Sequence, residues 1–143
     1  MILDKVREFI ENECPLLSGK KVKANFLGEV PKSYTIDNVP SDEIIKKYPD
    51  GGCLMQFNFV FASRENYDAE LSESLEISRF YEDFSNWVYM ANSKGNLPVL
   101  DAGLKPISLE VTSCGHLFSR DSESARYQIR LRLIYEKEGV FNL

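Results

Sequence analysis

Residues 2–13 place Leu3, Val6 and Ile10 on one helical face, widened by Ile2 and Phe9, with Asp4, Lys5, Arg7, Glu8 and Glu11 around the rest. That spacing predicts a first amphipathic helix, ended before Pro15. Residues 21–27 alternate Val22, Ala24 and Phe26 against Lys21, Lys23 and Asn25, a strand with one wet face. A weaker strand follows at 33–37 through Tyr34 and Ile36. The stretch from Val39 to Gly52 is broken by Pro40, Pro49, Gly51 and Gly52 and reads as an excursion carrying one helical turn at Asp42–Lys47. Residues 53–62 put Met55, Phe57, Phe59 and Phe61 on one face and Leu54, Gln56, Asn58, Val60 and Ala62 on the other. Neither face is very polar, which predicts a strand inside the sheet.

Residues 69–94 read as helical, with Ile77, Phe80, Phe84, Trp87, Val88 and Ala91 at a 3.6-residue period. Leu71 and Leu75 sit off that stripe, which predicts a break near Ser78. Gly95 suits a C-terminal cap and Pro98 blocks a restart. Two strands close the chain at 107–114 and 126–135. The last alternates Tyr127, Ile129, Leu131, Leu133 and Tyr135 with Arg126, Gln128, Arg130 and Arg132. The resulting order, α-β-β-β-α-β-β, predicts one α+β domain over residues 1–143. Its single sheet, antiparallel or mixed, has four to five strands, with two main helices packed on its apolar face.

The size permits a full core without disulfides or metals, since a chain of 143 residues buries roughly 68–70% of its unfolded surface. With 22 acids against 17 bases the net charge is −5, unsuited to a general or sequence-specific nucleic-acid binder. The odd count of Cys14, Cys53 and Cys114, with no CxxC, suits a reducing compartment and predicts three buried thiols. Met1-Ile2-Leu3-Asp4-Lys5 lacks the pattern of a secretory leader. No apolar run approaches the ~20 residues of a membrane helix, so no membrane partner and a cytoplasmic location are expected.

Catalytic chemistry is thinly represented. The single histidine, His116, lies two residues after Cys114, and a strand would point both the same way as a thiolate–imidazole pair oriented by Glu110. Gly115 between them predicts a bulge that spoils the alignment. No histidine pair, carboxylate set or phosphate loop supports a metal or nucleotide, so no cofactor is expected. What remains is charge asymmetry. Glu65, Asp68, Glu70, Glu73, Glu76, Glu82 and Asp83 are accompanied by one base, Arg79. Arg126, Arg130 and Arg132 share a strand face, and Lys20, Lys21 and Lys23 cluster near the first strand. Solvated faces account for such runs in general. The functional alternative is an acidic surface meeting a basic one on a neighbouring copy, a head-to-tail contact that closes into a ring where the rotation permits. The interface candidates are Arg126, Arg130, Arg132, Glu110, Glu73 and Glu76.

Several stretches in a fixed order carry a resemblance. They are Lys47-Tyr48-Pro49-Asp50-Gly51-Gly52, then Phe59-Val60-Phe61-Ala62-Ser63-Arg64-Glu65 with Tyr67, then Phe80-Tyr81-Glu82 with Phe84 and Trp87. Lys94-Gly95-Asn96-Leu97-Pro98 with Leu100-Asp101 and Gly103 follows, then Ala125-Arg126-Tyr127-Gln128-Ile129 and Leu133-Ile134-Tyr135. Over nearly the whole chain these resemble small phage and prophage proteins of Gram-positive bacteria described as minor capsid or tail terminator proteins. The resemblance implies a structural, non-enzymatic α+β protein without cofactor. It would form a ring, commonly of six subunits, on the end of the tail tube, with the tube and head-connector proteins as neighbours. Such a protein is found in the host cytoplasm during assembly and in the virion tail afterwards. The alternatives are a non-virion assembly factor of the same fold, or a small hydrolase or transferase using Cys114 and His116.

Overall fold

The computed structural model describes residues 1–17, 19–28, 32–66, 71–120 and 124–139, with the backbone alone for 66, 71–74, 116 and 120. Helix α1 (Ile2–Glu13) turns Leu3, Val6, Phe9 and Ile10 inward, as its periodicity predicts, and a short 3-10 turn at Pro15–Leu17 follows. Strands β1 (Val22–Ala24), β2 (Ser33–Asn38), β3 (Ile44–Lys47) and β4 (Cys53–Asn66) precede helix α2 (Leu71–Ser93), and β5 (Leu104–Arg120) and β6 (Ser124–Lys137) end the fold. Among the described residues six strands join one sheet, in the order β1-β2-β4-β6-β5, with β3 paired to the start of β4. The sheet is mixed: β1 and β2 run parallel, and every other pairing is antiparallel.

The α+β class and the two helices on one face match the expectation, whereas the sheet has more strands than the four to five expected. The extra strand is β3, in place of a helical turn at 42–47. All four of its residues are exposed, and it is held by pairing with residues 53–55 of β4. Helix α2 is continuous through Ser78. Leu75 lies off the apolar stripe because it is exposed, not because the helix breaks there. The cap is as expected. Gly95 (φ +71°) donates its N–H to the Asn92 carbonyl and Asn96 donates to that of Ala91, the paired bonds of a Schellman motif. The first strand stops at Ala24, after which Asn25 takes a positive φ and Phe26 is exposed. Among the cysteines only Cys14 is buried, where desolvation raises its thiol pKa; Cys53 is half-buried and Cys114 exposed.

The core lies between the helices and one sheet face. Phe59, Phe61, Phe84, Ile129 and Leu133 are fully buried there. Each such side chain contributes on the order of 2–3 kcal/mol before ordering entropy is set against it. An aromatic chain crosses the layers, from Phe9 to Trp87, Phe84 and Phe61 and on to Tyr34. Burial, with Glu65 nearby, pushes the Tyr34 phenol up to about 12.

Strand β5 forms one sheet edge, and open edges invite pairing with other chains. Helix α2 runs along it, and the Asn92 side chain accepts the N–H of Leu109 at 3.0 Å. Four register shifts interrupt the rest of the strand. Asn92→Ala strips the acceptor from a donor next to buried Leu109. It is expected to lower stability by about 1–2 kcal/mol and to promote edge-to-edge aggregation. Urea unfolding and light scattering check this; an unchanged midpoint and monodisperse scattering would show that water replaces the amide without loss.

Candidate functional site: the outer face of the sheet

Alternation along β6 sends Ile129, Leu131 and Leu133 to the helices and Arg126, Gln128, Arg130 and Arg132 to the opposite side. Register brings Thr35, Ala62 and Gln128 into one row on that outer face, with Asp37, Val60 and Arg130 in the next. No described helix packs here, yet Thr35 and Ala62 are 0%, Val60 4% and Gln128 7% exposed. Long side chains therefore roof this face.

Arg126 forms part of that roof. Its guanidinium meets Asp37 at 2.8 Å, its Nε donates to Gln128 Oε1 at 3.2 Å, and it lies 5.4 Å from the Phe118 ring centroid. Arg132 pairs with Glu110 at 2.8 Å, and Ser108 Oγ donates to the same carboxylate. Arg64 stands directly opposite Arg126 across the β4–β6 pairing, and its Nε donates to the Gly28 carbonyl at 3.3 Å. Arg130 is exposed, and no carboxylate among the described residues pairs with it. It lines a groove of about 320 Å³ with Val39, Pro40, Ser41, Asn58 and Thr112.

The structure therefore divides the six expected interface residues. Arg126, Arg130, Arg132 and Glu110 come together on the outer face, but Glu110 and Arg132 pair with each other within the chain. Glu76 is exposed on α2, on the helix side of the molecule. The side chain of Glu73 lies outside the described residues, as do Asp68 and Glu70. Glu65, counted with the acidic surface, is instead 3% exposed and paired with Lys32 at 2.5 Å. The exposed acids that remain on α2 are Glu76, Glu82 and Asp83. Arg64 and Asp37 are additions. Arg64 follows from alternation once β4 continues to Asn66 and not only to Ala62, and Asp37 lies on β2 opposite Val60.

The Cys114–His116 pair meets the expected irregularity: the register of β5 shifts between Ser113 and His116. The His116 side chain lies outside the described residues, and Glu110 is occupied by Arg132. No group of three or more His, Cys, Asp or Glu able to hold a metal occurs among the described residues. No described helix is long and apolar enough to cross a membrane. No family model matches the chain, and a comparison with curated proteins finds no match.

The outer face is thus suited to carboxylates. Guanidinium forks bind them in bidentate fashion.

Proposed function

We propose that the chain is a phage-type tail terminator or head–tail joining protein, acting by head-to-tail assembly into a ring on the end of the tail tube. The observation that carries this reading is the placement of exposed Glu76, Glu82 and Asp83 on the helix side and exposed Arg130 on the opposite sheet face. Two different complementary patches on opposite sides make a heterologous contact, which forms rings when the rotation closes. The ordered resemblance along nearly the whole chain supplies the tail tube and head connector as neighbours. No catalytic step, cofactor or metal belongs to this reading. The protein acts in the host cytoplasm during assembly and in the virion afterwards.

Light scattering after size exclusion, at several protein concentrations and two salt concentrations, tests it. The expected result is a species of about six subunits, six times the 16.4 kDa chain, which loosens as salt rises. Raising ionic strength from 0.1 to 1 M shortens the Debye length from about 10 to about 3 Å. A species that stays monomeric alone and does not bind purified tail tubes overturns the proposal.

A further inference from the structure

We infer that the occupant of the outer-face groove is the exposed side of α2 from a second copy of the chain, with Arg130 receiving carboxylates from Glu82 and Asp83. This rests on the self-assembly reading above and names the two surfaces that meet.

The groove asks for negative charge. Its walls at Val39 and Pro40 are apolar. Asn58 Nδ2 is engaged with Ser41 Oγ at 2.9 Å, and Gln56 Nε2 with the Asp42 carbonyl at 2.7 Å. Among the described residues, Arg130 is left as the one charged group lining it. The acids on its own face do not serve it, because Asp37 and Glu110 are held at 2.8 Å by Arg126 and Arg132.

Helix α2 presents the matching chemistry. Ile77, Tyr81, Phe84 and Val88 face the core, so the other side looks outward along its length. Glu76, Asp83 and Met90 recur there every seven residues, nearly two helical turns, and Glu82, Asn86 and Tyr89 form the adjoining line. Tyr89 is 70% and Met90 48% exposed beside those carboxylates. Aromatic residues, methionine and arginine are enriched at protein interfaces, and a helix face laid into a groove is a recurrent mode of recognition. A groove of about 320 Å³ takes a few projecting side chains of such a face. Because α2 covers the opposite side of its own sheet, it reaches the groove only of another copy.

Charge reversal tests this. Arg130→Glu, and separately Glu82→Arg with Asp83→Arg, should each lower the self-association constant about tenfold or more, since like charges then face one another. Combining all three changes in one chain, or mixing the two variants, should restore assembly. These residues are exposed, so the unfolding midpoints should stay close to wild type and separate an assembly defect from a folding defect. Assembly unaffected by either reversal overturns the assignment while leaving ring formation intact. Assembly lost in both but not restored by the combination also overturns it. A wild-type chain that remains monomeric, alone and on tail tubes, overturns this assignment and the functional proposal together.

Discussion

Gly115→Ala is expected to lower unfolding stability by about 3 kcal/mol, far more than an alanine in an exposed strand does. A Cβ at this position would fall 2.5 Å from both Cβ and Cγ of Tyr81 and 2.7 Å from its Cδ1. The ring has little room to yield. Tyr81 is 4% exposed, lies edge-on to Phe80 and stacks on Tyr127. Its hydroxyl is held from two sides. Burial drives the phenol pKa far above its ordinary value, so Tyr81 keeps its proton and donates it to the Tyr127 carbonyl at 3.0 Å. Ser63 Oγ, 2.7 Å away, then acts as donor to the same oxygen. The missing side chain of Gly115 is thus what lets α2 approach β5 closely. Gly95→Ala provides the comparison. Nothing lies within 4 Å of the added Cβ, and only the positive φ opposes it, at roughly 1–2 kcal/mol. Denaturant unfolding of the two variants should therefore rank Gly115→Ala as the more damaging. Equal losses would show that Tyr81 shifts at little cost.

The elements most legible in the sequence are those whose pattern and environment are both local. The α1 stripe, the two faces of β4 and β6, and the Gly95 cap depend on periodicity and backbone conformation within a few residues. Strand β3 was not legible. Ile44-Ile45-Lys46-Lys47 has no alternation to reveal it, and it is ordered by its pairing with Cys53, Leu54 and Met55 across the intervening turn. Tyr81 carries a hydroxyl, so pattern alone does not assign it to the apolar stripe. In the fold that hydroxyl is satisfied by Ser63 and Tyr127, which frees the ring to join the core. The same limit applies at the candidate site. Alternation alone places Arg126, Arg130 and Arg132 together, but it is silent on which of them remain available. That depends on Asp37, 89 positions from Arg126, and on Glu110, 22 from Arg132, brought near by the β2-β4-β6-β5 strand order. Three similar arginines in sequence become two internally paired groups and one exposed cation.

Phe84→Ala is expected to cost about 3–5 kcal/mol, the range for removing a fully buried phenylalanine and leaving its cavity unfilled. Phe84 is 0% exposed and stacks on Phe61 with ring centroids 4.5 Å apart and planes 13° from parallel. Through Trp87 it reaches Phe9 of α1, and through Phe61 it reaches Tyr34 of β2. Truncation therefore empties a junction where both helices meet the sheet, so α1 and α2 should loosen together. Phe84→Leu keeps most of the volume and is expected to cost less than half as much. Urea unfolding, with near-ultraviolet circular dichroism as the reporter of aromatic packing, checks both values. A functional consequence follows from position. Glu82 and Asp83 leave the outer side of the helical turn whose inner side Phe84 anchors, so their aim depends on that anchor. Self-association should weaken in Phe84→Ala, although no surface group has changed, and should survive in Phe84→Leu. If Phe84→Ala assembled like the wild type while losing its predicted stability, the carboxylates of α2 would not need a fixed helix to find their partner, and a rigid helix face would no longer explain the contact.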